Sequence, residues 1–236
     1  MSEIPFVGQF DARHSWQFYD DFIGGGAFGA ASAFDPWVIT DTSSAGAPTY
    51  TRVDIGESTA TGASGAAQLA FDSQDESQII TLSFGDLLAF DIDKLDGFMC
   101  RVSMGQAAVA ATTDFAFGVT GDRNDAIDSI AIASLFRVVG GTSTTAVVAE
   151  SDDGSANNDD KATGTTLINA WKLFYIDFRD VTDVLYYIDG VPVATATTFD
   201  MSNYDAGLQP FFQLQKTGGA QTDFAQIDYV FAWGVR

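Results

Sequence analysis

Hydrophobic and polar residues alternate along many short segments of the chain, which is the pattern of strands with one buried face. The segments with this period of two are Gly97–Met104, Asp114–Thr120, Ser129–Val138, Leu173–Phe178, Leu208–Gln215 and Phe224–Val235. The last of them is the clearest. Its predicted inward-facing residues are Ala225, Ile227, Tyr229, Phe231, Trp233 and Val235. The pattern predicts half-buried strands throughout the chain.

Turn signals separate the predicted strands. The pair Asp189-Gly190 predicts a type I′ hairpin turn, because both central residues of that turn need a positive φ. Further turn residues cluster at Asp122–Asp125, Gly140-Gly141 and Thr217–Gly219. Strands at intervals of about ten residues predict a sandwich or a barrel. Gly85–Leu95 is expected to form a short helix or a crossing loop.

The domain organisation follows from the absence of any repeat or Pro/Ser-rich linker. We expect one β-sandwich domain, residues 16–236, preceded by an N-terminal arm, residues 1–15. Thr40–Gly65 is rich in small polar residues and Ser151–Gly164 is acidic, so both are expected to be loops.

The amino-acid composition further narrows the fold class and the kinds of partner that are expected. Of the 32 acidic residues 28 are Asp, and only four Lys occur, so the chain has little material for exposed helices. The net charge of -21 repels phosphates, so neither nucleic acids nor anionic membranes are expected as partners. No apolar run approaches the ~18 residues of a membrane helix. Met1–Pro5 has no signal-peptide character, so synthesis in a cytoplasm is expected.

Nucleophilic catalysis is not expected. Cys100 lies on the apolar side of a strand pattern. His14 would have to be the base of a catalytic triad, but the sequence has no Gly-x-Ser-x-Gly nucleophile elbow to accompany it. Both residues are interpreted as structural. Carboxylate pairs for glycoside hydrolysis are a separate candidate, with Asp91 and Asp93, or the cluster of Asp72, Asp75 and Glu76, as the acids. The alternative is that these are ordinary turn acids.

One acidic run is a candidate calcium loop, because calcium takes six to eight oxygen ligands. Its candidate ligands are Asp152, Asp153, Asn157 and Asp159. The run does not follow the EF-hand spacing, and the alternative is a solvated hairpin tip. No other cofactor is expected.

Sugar binding is a further candidate, because lectins stack aromatic rings on pyranoses and hydrogen-bond the hydroxyl groups with Asp and Asn. The aromatic residues considered for exposure are Trp16, Trp37, Tyr50, Trp171 and Tyr204. Trp171 and Trp233 belong to strand patterns, which favours the core. The sequence assigns no sugar-binding residue.

Three pieces of the sequence together resemble the concanavalin A-like lectin/glucanase jelly roll. They are Phe18–Phe22 followed by Trp37, the hairpin Trp171–Asp177 with Val184–Ala194, and the closing strand Phe224–Val235. The resemblance covers roughly residues 16–236 and implies an all-β, two-sheet antiparallel sandwich with few or no helices. The hydrolases of this family carry a Glu-x-Asp-x-Glu strand, which is missing here. No catalytic residue is therefore carried over, and a non-enzymatic member is expected.

The overall style, with many Ala, Gly and Thr and few Cys, also resembles virion proteins of tailed bacteriophages. This resemblance leads to the hypothesis of a capsid decoration (cement) protein on the virion surface, which binds the major capsid protein or another virion protein and forms a homo-oligomer. The predicted partner contact is the arm, through Ile4, Pro5, Phe6, Val7 and Phe10. The alternative is a carbohydrate-binding or receptor-binding virion domain, and a glycoside hydrolase is the third hypothesis.

Overall fold

The structure, a computed structural model, describes residues 15–22, 36–53, 65–105, 112–140 and 146–236. Within these ranges no helix has the length and hydrophobicity needed to cross a membrane. Two single 3₁₀ turns cover Ile92–Lys94 and Ile127–Ser129. The strands in chain order are β1 (Ser15–Asp20), β2 (Val38–Asp41), β3 (Thr49–Val53), β4 (Ala66–Ala70), β5 (Gln78–Ser83), β6 (Phe90–Asp91), β7 (Leu95–Gly105), β8 (Thr113–Thr120), β9 (Ala133–Val138), β10 (Ala146–Asp152), β11 (Asn157–Thr166), β12 (Lys172–Asp177), β13 (Leu185–Ile188), β14 (Val191–Val193), β15 (Gly207–Lys216) and β16 (Phe224–Val235).

The strands form two antiparallel sheets of eight strands each. The first sheet has the order β14-β13-β12-β7-β16-β4-β3, and β1 pairs with the second half of β16. The second sheet has the order β11-β10-β9-β8-β15-β5-β2, and β6 pairs with the start of β15. Neighbours that are distant in sequence, such as β7 and β16, show that the chain crosses between the sheets. The predicted fold class, an all-β two-sheet jelly-roll sandwich, is confirmed.

Aromatic residues fill the space between the two sheets. The ring of Phe117 in β8 lies 4.7 Å from that of Phe174 in β12 and 5.9 Å from that of Phe136 in β9. Ring pairs of this kind contribute about 0.5–1.5 kcal/mol beyond the burial of their area. Cys100 is fully buried in the same core, and burial raises the pKa of its thiol. The interpretation of Cys100 as a structural residue agrees with this placement.

The predicted hairpin turn is present between β13 and β14. Asp189 has φ 51° and Gly190 has φ 77°, which are the two positive values of a type I′ turn. The Asp189 carboxylate also accepts from the backbone N–H of Leu173 at 2.9 Å and from Lys172 at 3.0 Å. The turn is therefore tied to the neighbouring strand β12.

Two predicted loops contain strands. Thr40–Gly65 includes β3, which pairs with β4, and Ser151–Gly164 includes most of β11, which pairs with β10. The prediction was wrong for these parts because β3 has only Tyr50 and Val53 as large hydrophobic residues and β11 has none, so neither strand shows a clear alternation. Among the strands that the structure describes, β3 and β11 are the last of their sheets, and each of them pairs with one neighbouring strand.

A third correction concerns Ser129–Val138, for which one strand was predicted. The strand begins only at Ala133, because Ile127–Ser129 form a 3₁₀ turn. Ile127 and Ile130 belong to a second small hydrophobic cluster with Phe211. The connection between β8 and β9 thus covers part of the outer surface of the second sheet.

The largest correction concerns β16. Ile227 pairs with Val102 whereas Tyr229 pairs with Arg101, so Asp228 is an extra residue in a β-bulge. Beyond the bulge the alternation is inverted. The buried residues of β16 that face the core are Ala225, Ile227, Val230 and Ala232. The prediction that Tyr229, Phe231, Trp233 and Val235 face inward was therefore wrong, since they lie on the outer side of the sheet.

Candidate functional site

Polar side chains from five neighbouring strands meet on the outer face of the second sheet. They are Gln215 of β15, Asp114 of β8, Arg137 of β9, Glu150 of β10 and Asp160 of β11. We call them the polar row. In β8, β9 and β15 the alternate residues face the core, so the period of two places the polar members outside.

Arg137 is the centre of the polar row. Its Nη2 donates to Oδ2 of Asp114 at 3.0 Å, and its Nη1 donates to Oε1 of Glu150 at 3.4 Å. Nη1 also donates to Asp128, which belongs to the 3₁₀ turn. Gln215 Nε2 extends the network by donating to Oδ2 of Asp114 at 3.2 Å. One guanidinium therefore connects three carboxyl groups.

The central members of the row are nearly inaccessible to solvent. Arg137 is 7% exposed and Glu150 is 8% exposed. Burial raises the pKa of Glu150 to about 8, because the opposing effect of Arg137 at 3.4 Å is weaker. Burial by itself would lower the pKa of Arg137, but Glu150 and Asp114 raise it. Within the described residues, Nε of Arg137 is buried and has no hydrogen-bond partner.

A bulge in β11 brings Asp160 to the row. Ala149 pairs with Lys161 and Ser151 pairs with Asn158, so Glu150 faces two residues of β11. Asp160 takes up the extra length with φ 53°, a left-handed conformation that Asp adopts more readily than most residues. Its side chain forms a hydrogen bond with that of Glu150.

The neighbouring part of the same face is closed. Nε2 of Gln209 donates to the carbonyl of Gly121 at 2.9 Å, and Nε2 of Gln213 donates to the carbonyl of Asp125 at 2.9 Å. Both amides are fully buried under the β8–β9 connection. The face is thus covered beside β15, whereas Asp160 at the other end of the row is exposed, as is the Asp128 side chain of the covering connection.

A second row lies on the outer face of the first sheet. Its members, which we call the aromatic row, are Tyr187, Tyr175, Trp233, Phe231 and Tyr19. The centroid distances are 5.4 Å for Tyr187–Tyr175, 5.5 Å for Tyr175–Trp233 and 5.0 Å for Trp233–Phe231, with interplanar angles of 21–23°. The rings of Tyr187, Tyr175, Trp233 and Phe231 therefore stack on one another's faces, whereas Tyr19 meets Phe231 edge to face at 6.2 Å and 69°.

The predicted calcium ligands are divided between different roles. The carboxylate of Asp153 is buried and accepts N–H groups of Ser155, Ala156 and Asn203. Asp152 accepts the N–H of Gly154 at 2.7 Å. Asn157 and Asp159 are exposed residues of β11. In the described ranges no group of three or more His, Cys, Asp or Glu residues is arranged to hold a metal. Calcium binding stays a prediction.

The predicted acid pairs are engaged in turns. Asp91 accepts from the backbone N–H of Asp93 at 3.1 Å and from Nζ of Lys94 at 2.5 Å. Asp72 and Glu76 both accept from the side chain of Gln78. These contacts agree with the alternative reading of turn acids.

Other predicted residues are placed elsewhere or cannot be placed. Trp37, one of the aromatic residues considered for exposure, is 2% exposed and belongs to the core. Trp171 lies beneath the guanidinium of Arg101, 5.1 Å from the ring centroid. The predicted arm, including Ile4, Pro5, Phe6, Val7 and Phe10, lies outside the described residues except for Ser15, which begins β1. Capsid binding therefore stays a prediction.

The polar row was missed at the sequence level. A signal was present, since Arg137 and Glu150 are single charges at outward positions of two otherwise apolar segments that flank Gly140. Charged residues at such positions of consecutive strands are expected to meet across the sheet.

Comparisons with known proteins extend the description of the fold. No family model and no curated protein matches the sequence. The Emp47p carbohydrate recognition domain has a similar structure with a TM-score of 0.57 and 12% identity, covering 95% of this chain and 98% of that chain. The catalytic domain of an endo-1,3-beta-glucanase (laminarinase) from Thermotoga petrophila has a TM-score of 0.56 and 12% identity, covering 93% and 97%. A protein of unknown function from Shewanella oneidensis has a TM-score of 0.54 and 12% identity, covering 94% and 87%.

Proposed function

We propose that this chain is a carbohydrate-binding domain and that the polar row is its binding surface. The observation that carries the proposal is the convergence of a guanidinium, an amide and three carboxyl groups from five strands on one face. Planar groups of this kind donate and accept pairs of hydrogen bonds, as recognition of sugar hydroxyl groups requires.

The aromatic row is the weaker candidate for this role. A sugar stacks on the face of an aromatic ring, whereas these rings stack on each other at 5.0–5.5 Å. Sheet side chains stand upright in such a row, so the rings within the stack offer a ligand their edges, and Tyr19 is the one member of the row that is largely exposed. The exposed end of the polar row has no such obstacle.

The similar structures support the proposal without establishing it. The Emp47p domain is a carbohydrate recognition domain, and the laminarinase domain is the catalytic domain of a glucanase. Each is 12% identical to this chain, and such a likeness supports the fold alone. The proposal is binding without turnover. The pKa of Glu150 is raised, as is typical of the general acid of glycosidases. Hydrolysis must therefore be tested directly, by measuring whether reducing ends are released from the bound glycan.

A glycan array followed by titration of the best ligand tests the proposal. We expect Gln215→Ala and Asp160→Ala each to weaken binding about tenfold, the equivalent of about 1.4 kcal/mol. Tyr19→Ala, in the aromatic row, serves as the matched control and should bind like the wild type. The proposal would be contradicted if no glycan on the array bound, or if Tyr19→Ala alone weakened binding. Release of new reducing ends from the glycan would show that the protein is an enzyme.

A further inference from the structure

We infer that the oxygen cage around the Lys216 ammonium is an internal cation site, which the chain fills with its own side chain and which holds two connections together. The connections are residues 71–77, between β4 and β5, and residues 217–223, between β15 and β16. When the side chain at residue 216 is shortened, the cage should accept a primary alkylammonium ion in its place.

Lys216 occupies a core-facing position at the end of β15. Leu208, Phe212 and Leu214 of the same strand face the core, and the period of two places Lys216 on their side. The residue is 1% exposed, although lysine is almost never fully buried unless its charge is paired. The buried ammonium therefore needs partners that replace water.

Four backbone carbonyls provide these partners. Nζ of Lys216 donates to the carbonyls of Gln74 at 2.7 Å and Asp72 at 3.2 Å in the first connection. It also donates to those of Gly219 at 3.0 Å and Gln221 at 3.5 Å in the second connection. An ammonium group on a side chain has three N–H bonds, so at least one of them is shared between two of the four oxygens. The oxygens thus surround the charge as ligands surround an ion, and one cation joins the two connections.

Two further groups favour a positive charge over a neutral donor in the cage. The ammonium lies 5.2 Å from the centroid of the Phe71 ring, within the range of a cation–π interaction. The Asp223 carboxyl is 3% exposed and accepts from the Thr113 hydroxyl at 2.8 Å. Burial raises the pKa of Asp223, whereas the Thr113 hydroxyl and the charge of Lys216 lower it. A neutral group in the cage would lose the attraction of both the ring and the carboxylate.

The spacing of the oxygens indicates the class of cation that fits. Calcium takes oxygen ligands at about 2.3–2.6 Å and magnesium at about 2.0–2.1 Å. The four carbonyl oxygens lie 2.7–3.5 Å from Nζ, so the cage is too wide for either ion. The hydrocarbon stem of Lys216 is buried together with its ammonium, so a replacement must supply an apolar chain as well. A primary alkylammonium ion meets both requirements.

Lys216→Ala tests the inference by chemical rescue. The substitution removes three carbons and the ammonium, which together correspond to n-propylammonium. We expect the Tm to fall by about 10 °C and n-propylammonium chloride to restore at least half of this loss, with a saturable dependence on its concentration. Propan-1-ol, which has a similar shape without the charge, should restore little. The same holds for tetramethylammonium chloride, which supplies the ionic strength but is too bulky for the cage.

Lys172→Ala is the matched control, because it removes the ammonium of a more accessible lysine that pairs with Asp189 at 3.0 Å. Its Tm should fall by no more than about 3 °C and should not respond to n-propylammonium beyond the effect of the salt. Circular dichroism confirms that each variant is folded before the amine is added.

Amine labelling of the wild type provides a readout that needs no variant. Acetic anhydride should modify native Lys216 at least about a hundredfold more slowly than Lys94, whose side chain is 50% exposed, as measured by mass spectrometry of the peptides. Equal labelling rates would overturn the inference. So would a Lys216→Ala variant as stable as the wild type, a destabilised variant that n-propylammonium does not rescue, or rescue by propan-1-ol to the same extent.

Discussion

The outer faces of the two sheets carry opposite chemistry on the same architecture. On the first sheet the aromatic row is built from rings that contact one another, and on the second sheet the polar row is built from charges that contact one another. A β-bulge is involved in each case, at Asp228 in β16 and at Asp160 in β11. One extra residue in a strand can therefore decide which chemistry a face of the sheet presents.

The two rows also differ in what they contribute to stability. Stacked rings contribute favourably wherever they meet. Buried ion pairs pay for desolvation, and replacing a whole pair by hydrophobic residues is often neutral or stabilising. A chain selected for stability alone has little reason to retain Arg137 and Glu150 at 7% and 8% exposure. The polar row is therefore the better candidate for a selected function.

Arg137→Met should produce the largest loss of stability. It leaves the Asp114 carboxylate without its cation, and an uncompensated charge of this kind in a buried setting costs about 3–5 kcal/mol. The free energy of unfolding from urea denaturation measures the loss. The corresponding variant on the other face is Arg101→Met, which breaks the 2.6 Å pair of Arg101 with Asp228. Because Arg101 is 38% exposed, about 1 kcal/mol is expected there. Equal losses would remove the energetic contrast between the two faces.

Glu150→Gln should change how stability depends on pH. The pKa of Glu150 rises from 4.5 to about 8 in the folded chain, so the folded state holds a proton that the unfolded state releases. The stability from this proton is complete below pH 4.5 and is lost as the pH rises through about 8. Because Gln cannot ionise, the free energy of unfolding of the variant should be about 2–4 kcal/mol higher than that of the wild type at alkaline pH.

Thermal denaturation across this pH range measures the effect. Asp183→Asn, which changes one exposed charge, should follow the wild-type curve. A difference between Glu150→Gln and the wild type that does not grow with pH would mean that Glu150 is ionised at neutral pH, and the polar row would then be a simple ion-pair network.

The fold could be predicted from the sequence, because alternation and the Asp189-Gly190 turn depend on local residues. The positions of Tyr229 and Trp233 could not, since Phe224–Val235 alternates without interruption and nothing marks Asp228 as an extra residue. The bulge is set by pairing with β7, which is distant in sequence. The polar row has the same origin, because only the register of five strands brings its members together.

Gly97→Ala tests the aromatic row with the smallest expected change in stability. A Cβ at residue 97 would lie 2.5 Å from Cζ2 of Trp233 and 2.8 Å from Cε2 of Tyr175, so both rings must shift. Overpacking of this kind costs about 1–3 kcal/mol, and the strand propensity gained from Ala offsets part of it. Trp233 fluorescence and the near-ultraviolet circular dichroism should change together with the stability.

Gly218→Ala is the matched control for this substitution. Its nearest atom would be Oδ1 of Asp75 at an ordinary 3.6 Å, so neither the stability nor the aromatic signals should change appreciably. If Gly97→Ala behaves like Gly218→Ala, the rings move without cost and the aromatic row is a loose surface. A ligand could then open the aromatic row and reach the ring faces, and stacking would no longer distinguish the two rows as sugar-binding surfaces.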